Sequence, residues 1–524
     1  MVFYFIISLS VFTTIQYMLS TFSRVFSAQP FQLQGHIVTV EIDITNGLHS
    51  FTIIGLPDKA VEESRDRVSS SIKNSGFVSP KQENFKTVVS LAPAELKKEG
   101  SYFDLAIALG YLLSSHSIEF NPENKLFLGE LSLDGSIQSV SGVLPLVQHA
   151  KQKGFTEIFV PYKNAHEAAL VADVTIYGVN TLKQVIEHLT QQEKITPTPQ
   201  TKIDFEKQTE PISDFIDVKG QEVAKRGLEI AAAGGHNIVL FGPPGTGKTM
   251  LARAFTGILP TLSLEEALEV TGIHSISGKL QQSLIIHPPF RTPHHTSSYV
   301  SLIGGGTIPK PGEVTLAHRG VLFMDEFPEF ETRVLESMRQ PLEDRIVTIA
   351  RAKGSAVFPS QFILIAAMNP CPCGNLGSLH KKCICTQNDI ARYSRKISGP
   401  IMDRIDLWIP VEHVDYDKLG TINQSEKSNA IKERVIQSRE KQYKRFHAYQ
   451  KLNAHMQAKD IEQLVITNTA RQTLNKSAQM MKLSPRAYHR VIKLARTIAD
   501  LDNSEIINDD HILEALQYRP KNFT

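Results

Sequence analysis

The run Ile238-Val239-Leu240-Phe241 leads directly into Gly242-Pro243-Pro244-Gly245-Thr246-Gly247-Lys248-Thr249, and Met250–Phe255 continues in a helical pattern. This is G-x-x-x-x-G-K-T set between a short apolar strand and a helix, the context that gives the spacing its meaning. The glycines let backbone N–H groups come close to phosphate oxygens, and the helix N-terminus adds partial positive charge. Lys248 is placed to neutralise the β- and γ-phosphates of ATP, and the Thr249 hydroxyl to ligate magnesium. A chance Gly-rich turn has no reason to carry Lys-Thr at this spacing between strand and helix. Residues 242–249 are therefore the expected nucleotide-binding set.

Downstream, Gly320-Val321-Leu322-Phe323-Met324-Asp325-Glu326 is an apolar strand ending in two carboxylates. Asp325 would hold the magnesium, directly or through water, and Glu326 would polarise the attacking water as general base. Alone such a run is common; it gains its meaning from following a phosphate loop within one domain. A third strand, Phe362–Met368, ends in Asn369-Pro370. A polar side chain there would sit between the first two strands and orient the lytic water. The plainer reading is a turn Asn before Pro.

The surrounding chain of 524 residues suggests two to four domains. An apolar share of 41% is enough for large buried cores. A net charge of +2 excludes a wholly basic nucleic-acid binder, but residues 418–524 carry 19 Lys+Arg against 11 Asp+Glu. All four cysteines lie within residues 371–385, which argues against a disulfide framework and against secretion.

Strand–loop–helix alternation over 212–416 implies a parallel sheet with helices on both faces. Residues 29–190 also alternate: Val38–Ile44 and Phe51–Ile54 read as strands, Ala60–Lys73 and Phe103–Leu113 as helices. The polar, Pro-bearing stretch 191–211 reads as a linker, and 417–524 as helical. Residues 1–28 read as an apolar leader, uncharged through residue 23. A signal or anchor and an upstream start codon, with Met18 as the true start, are its two readings. The expected location is the cytoplasm, without stable membrane association.

The three strand ends and their tails resemble the magnesium-chelatase-like AAA+ ATPases of the YifB/ComM type. The resemblance runs from about Met18 to the C-terminus. Its most specific stretches are Gly55–Arg65 (GLPDKAVEESR), Phe290–His295 (FRTPHH), Pro311–Glu313 and Leu316–His318, Asn369–Gly374 (NPCPCG), Ser398–Asp406 (SGPIMDRID) and Ala495–Asp500. It has no counterpart for the first 17 residues, which favours the start-codon reading. It implies an AAA+ P-loop domain with a parallel sheet, a helical C-terminal lid, and a preceding Lon-protease-like α+β domain of the ribosomal-S5 type. It further implies a homo-oligomeric ring, a hexamer by analogy, with ATP and magnesium as cofactors.

The same resemblance gives Arg404 the look of an arginine finger reaching the neighbouring subunit's ATP, and Arg486 that of the sensor-2 arginine of the lid. Ser484-Pro485 supports the second independently, because Ser suits an N-cap and Pro the first helical position. Without the family, a surface ion pair is the plain reading of either. Lon's dyad needs a Ser and a Lys. In the stretches Lys98–Asp104 and Ser141–Pro145, Tyr102 falls at the nucleophile's place, Ser101 is one position off, and no Lys occurs in the second. A non-proteolytic domain is expected.

Cys371-x-Cys373 and Cys383-x-Cys385, nine residues apart, could close a tetrahedral zinc site, with His380 as a substitute ligand. Four cysteines without metal are the alternative. For nucleic acid there are two candidates. Ile346–Ile349 and Ala356–Phe358 flank Arg351-Ala352-Lys353-Gly354 as a hairpin with a basic tip, of the kind that lines the pore of related rings. Residues 427–451 contain eight Lys/Arg with Tyr443, Phe446 and Tyr449 interleaved, and read equally as a DNA surface or a solvated amphipathic helix.

The expected function is an ATP-driven ring motor on DNA, by resemblance a helicase driving branch migration in natural transformation. The alternative is a chelatase-type remodeller of a partner protein; a Lon-like protease is disfavoured by the missing dyad. The His294-His295 pair is open to a nucleotide or a structural role.

Overall fold

The computed structural model describes residues 21–202, 213–306, 309–351, 354–377, 381–413, 426–448 and 451–520. They group into two compact units: Met1–Asp204 with Thr271–Leu284, and Phe205–Val270 with Ile285–Thr524.

In the first unit, β1 (Phe22–Phe31) and β2 (Gln34–Asn46) form a long antiparallel hairpin, with Val25 opposite Val40. Then come β3 (Ser50–Ile54), α1 (Lys59–Asn74), β4 (Phe85–Ala92) and α2 (Asp104–Ser114). The sheet order is β1-β2-β4-β3, with only β3 and β4 parallel. The alternation of Val38, Val40, Ile42 and Ile44, all buried, turns one face of β2 to the core. β1 corrects the leader boundary at residue 28. Its Val25 and Ala28 are fully buried, so the apolar stretch from Phe22 onward is sheet rather than leader. α2 lies so close to β2 that a Cβ at Gly110 would come 2.9 Å from Ile42 Cδ1. α1 is capped by Asp58, whose side chain accepts the Val61 N–H at 2.9 Å.

A parallel three-stranded sheet completes this unit: β5 (Lys125–Phe127), β6 (Glu157–Pro161) and β7 (Thr175–Val179), with α3 (Val143–Gln152) and α4 (Leu182–Leu189). Part of the stretch read as a linker is ordered against it. Thr198 N–H bonds Ile176 O at 2.7 Å, Thr201 N–H bonds Ala169 O at 3.1 Å, and Ile195 packs on the core. Residues 203–211 of that stretch lie outside the described residues.

The second unit contains α5 (Glu222–Gly234), β8 (Ile238–Phe241), α6 (Lys248–Ala254), β9 (Phe290–Arg291), β10 (Val321–Met324), the hairpin β11 (Ile346–Arg351) and β12 (Gly354–Pro359), β13 (Ile363–Met368) and β14 (Leu407–Pro410). Its sheet is five-stranded, entirely parallel, in the order β9-β10-β13-β8-β14. Parallel strands covered on both faces lose the polar alternation of a half-exposed sheet, and every residue of β10 and β13 is buried. β13 lies between β8 and β10, the place expected for the strand that ends at Asn369.

Helices α7 (Ser428–Phe446), α8 (Asn468–Met480), α9 (Pro485–Leu501) and α10 (Asp509–Gln517) follow. Their Ile431, Val435, Val491 and Leu494 join Ile238, Leu240 and Ile409 in one core, so the division read at residue 417 is not a break in packing. Each such side chain contributes about 1.5–3 kcal/mol on burial. Ser484 caps α9 as expected, accepting the Ala487 N–H at 3.2 Å, with Pro485 in the first turn.

Candidate functional site

The phosphate loop runs from the carboxyl end of β8 into α6. A Cβ on Gly242 would lie 2.0 Å from Val411 O, so only glycine can pass here. Gly245 and Gly247 adopt φ of +78° and +89°, which side chains other than glycine's disfavour. A Cβ on either would meet no atom within 4 Å, so it is the backbone conformation and not crowding that calls for glycine at these two positions. The buried Lys248 ammonium donates to Gly242 O at 2.7 Å and Pro243 O at 2.8 Å, and lies 3.4 Å from Asn369 Oδ1. Desolvation holds its pKa below the ordinary lysine value, opposed by the Asp325 charge. Such a cation gains from an anion that replaces lost water.

Thr249 Oγ1 donates to Asp325 Oδ2 at 3.0 Å, setting a hydroxyl and a carboxylate together as a divalent cation requires. The Asp325 Oδ1 accepts the Glu326 N–H at 2.9 Å. Glu326 itself has a left-handed backbone, φ +50°. Its Oε2 lies 2.9 Å from His295 Nδ1. The His294 ring lies 4.2 Å from that of His295, and His294 Nδ1 is 2.8 Å from Thr296 Oγ1. β9 and β10 are parallel neighbours, so the loops leaving their carboxyl ends meet, and His295 reaches Glu326. The sequence left the histidine pair open between a nucleotide and a structural role, and only the contact with Glu326 sets His295 beside the expected base.

Arg404 stands with a different group. Its Nη1 donates to Pro400 O at 2.6 Å and its Nη2 pairs with Glu343. Burial lowers its pKa, and the nearby Arg486 and Arg490 charges lower it further. Arg404, Arg486, Arg490, Lys493 and Arg345 line one cavity of about 640 Å³. Burial brings the Arg345 guanidinium down to about 10 and also lowers Lys493. No residue of the phosphate loop lines this cavity. The two arginines singled out in the sequence are thus brought together in one cavity.

The four cysteines also converge, with one ligand atom of each within 4.8 Å of all the others. Cys371 and Cys373 sulfurs are 3.4 Å apart, and each lies 3.7 and 3.6 Å from Cys383 Sγ. Leu376 N–H donates to Cys371 Sγ and Cys373 N–H to Cys385 Sγ. The backbone N–H groups of Asn375 and Ile384 bring the Cys373 thiol down to about 6. His380 lies outside the described residues.

β11 and β12 pair out to Arg351 and Gly354, as the basic hairpin requires, and Lys353 at its tip lies outside the described residues. Only Ser360-Gln361-Phe362 separate β12 from β13. Of the two readings of 427–451, the amphipathic helix is the one the structure fits. α7 buries Ser428, Ile431, Val435, Ser438 and Gln442 and exposes Glu433, Glu440 and Lys444, with Lys427 exposed at its N-cap, while four cations of the segment are engaged within the molecule. Arg439 donates to Ala232 O, Arg434 pairs with Glu229 and Glu426, Arg445 with Asp500, and Lys451 with Asp460. Phe446 packs on the core, and Tyr449 lies outside the described residues.

In the first unit Tyr102 OH lies 2.9 Å from Ser141 Oγ, joining the two stretches that would carry Lon's dyad. Among the described residues no helix is long and apolar enough to cross a membrane.

Three family models match, described as magnesium chelatase, subunit ChlI (residues 214–419), subunit ChlI of Mg-chelatase (40–164) and magnesium chelatase, subunit ChlI C-terminal (425–519). The chain is 41% identical over 506 residues to the competence protein ComM of Haemophilus influenzae, covering 94% of this chain and 97% of that protein. The chain belongs to the ComM/YifB family of magnesium-chelatase-like AAA+ proteins. It is likewise 41% identical over 487 residues to YifB of Escherichia coli, covering 92% and 94% of the two chains. A shorter similarity, 26% over 171 residues and 30% of each chain, relates it to Lon protease 2 of Bacillus subtilis. The family's α/β domain is the parallel sheet just described, with the phosphate loop at its carboxyl edge, where α/β sheets place their ligands.

Proposed function

We propose that this family member hydrolyses ATP with magnesium as a ring of identical subunits, and that the ring works on DNA as a helicase. The observation that carries the hydrolytic reading is the Thr249–Asp325 pair at 3.0 Å, flanked by Glu326 and by Lys248 beside Asn369. Residues Gly242 to Thr249 bind the polyphosphate, and Lys248 neutralises it. Thr249 and Asp325 would hold magnesium, which supplies positive charge to the β- and γ-phosphates when bound. Glu326, steadied by His295, accepts the proton of the attacking water, and Asn369 orients that water.

Arg404 and Arg486 supply the support for a ring. The five cations of their cavity outnumber the carboxylates of Glu343 and Asp344, and no phosphate-loop residue lines it, which suits the phosphates of a neighbouring subunit's nucleotide. Both arginines then act in trans, in a hexamer by family analogy. Four thiolates at single-ion spacing support a structural zinc. The N-terminal unit is Lon-like without proteolysis, since Tyr102 and Ser141 bond each other where a Ser-Lys dyad would stand.

The DNA reading rests on the basic hairpin, three residues from the strand that ends at Asn369, and on the competence role carried in ComM's name. Branch migration during transformation in the cytoplasm is the corresponding task. One observation favours protein remodelling instead: Arg439, Arg434 and Arg445 of α7 are engaged within the molecule. The deciding experiment is the ATPase rate of purified protein with and without forked or single-stranded DNA. Stimulation that Glu326→Gln abolishes is expected. A rate indifferent to DNA would replace the motor with the remodeller.

A further inference from the structure

The cysteine cluster and the phosphate loop touch. Cys371 follows Asn369 by two residues and is fully buried, and the turn from it closes with Gly374 N–H on Cys371 O at 2.9 Å. Gly374, at φ +78°, then lies against the phosphate loop. A Cβ there would come 2.8 Å from Pro244 Cδ, 3.3 Å from Pro244 Cγ and 3.9 Å from Asn369 Cγ. The wall behind Pro244 is therefore the loop that carries the first two thiols.

That loop has little else to hold it. Leu376 is 40% exposed and Ile384 is 85% exposed, so the described residues within and between the two cysteine pairs offer little apolar core. Its sulfurs meet the demand of one ion. Four thiolates about 2.3 Å from a tetrahedral zinc stand about 3.8 Å apart. The separations of 3.4, 3.6 and 3.7 Å approach that edge, and they exceed the sulfur–sulfur bond of a disulfide. N–H donors aimed at Cys371 and Cys385 sulfurs are the outer bonds that orient thiolate ligands.

We propose that a zinc ion held by Cys371, Cys373, Cys383 and Cys385 braces the phosphate loop through the Gly374–Pro244 contact, so that metal occupancy sets nucleotide affinity. The proposal rests on the zinc reading above and adds its coupling to ATP. With the ion in place, the turn is fixed, Pro244 is backed, and the loop's N–H groups stay aligned for phosphate. With the ion gone, four crowded thiols have no common partner and the wall relaxes. Binding must then supply the ordering that the metal had provided, and affinity falls.

The test uses the full-length protein purified without chelator. Metal analysis should give about one zinc per chain, the capacity of one four-thiolate site. A zinc-selective chelator that spares magnesium should weaken equilibrium binding of a fluorescent ATP analogue by about tenfold, equal to about 1.4 kcal/mol, and added zinc should restore it. Gly374→Ala should keep its zinc yet bind the analogue several-fold more weakly, because the new Cβ displaces Pro244. This variant carries the test should the metal-free protein aggregate. Absence of zinc would overturn both the metal and the coupling. Zinc present, with affinity unchanged by its removal or by Gly374→Ala, would overturn the coupling alone.

Discussion

Replacing Glu326 by Gln isolates the chemical step, because the contacts of Lys248 and the Thr249–Asp325 pair do not involve the Glu326 side chain. Gln has nearly the same shape and can keep the contact with His295 Nδ1, now 2.9 Å from Oε2. The left-handed backbone at φ +50° is unaffected by a change at the end of the side chain. Thr249 remains 3.0 Å from Asp325, and Lys248 keeps its place beside Asn369, so ATP affinity should stay within about threefold, under ~0.7 kcal/mol. What is lost is the basic oxygen. A positioned general base is worth about 10²–10⁴ in rate, or about 2.7–5.4 kcal/mol of barrier. Phosphate release under saturating ATP should fall by that factor, while equilibrium binding of the fluorescent analogue is retained. Turnover within about threefold of the parent would refute the assignment, since no comparable loss of proton acceptance could then have occurred. Loss of binding together with turnover would instead place Glu326 among the nucleotide's ligands.

His295→Ala should lower kcat with little change in nucleotide affinity, because the contact that steadies the base is removed; an unaltered kcat would make the contact incidental. Arg404→Ala should bind ATP yet lose about 10³-fold or more in kcat, the usual worth of an arginine finger. Mixing it with Lys248→Ala protein should restore part of the rate at hybrid interfaces, and rings shown to mix without rescue would place Arg404 within its own subunit. Replacing both Arg351 and Lys353 by Ala should abolish stimulation by DNA at near-normal basal ATPase and reduce the salt slope of DNA binding by about 1–2. Should that variant respond to DNA like its parent, the hairpin is not the contact.

Some of this was legible in the sequence because it is local. The phosphate loop needs glycines and Lys-Thr at fixed spacing, and the chain carries them in eight consecutive residues, 242–249. The strands ending at Asp325 and Asn369 announce themselves by apolar runs that stop in polar groups. The cap at Ser484-Pro485 and the clustering of four cysteines are equally short-range signals. Each depends on a few neighbouring residues, so composition and period suffice.

The tertiary structure decided what depends on distance through space. The order β9-β10-β13-β8-β14 brings His295 to Glu326 and Asn369 to Lys248, pairs separated by 31 and 121 positions. Packing drew Arg404 and Arg486 to one cavity, although α9 begins far along the chain. It also set Arg434, Arg445 and Arg439 of α7 onto Glu229, Asp500 and the Ala232 carbonyl, which no count of charges along 427–451 could reveal. Phe22–Ala28 looks apolar in isolation and becomes a strand only because β2 offers a partner in register. Gly374 against Pro244 belongs to the same class. A motif specifies which groups are present, but their partners are set by how the parallel sheet orders its strands and how the core closes around it.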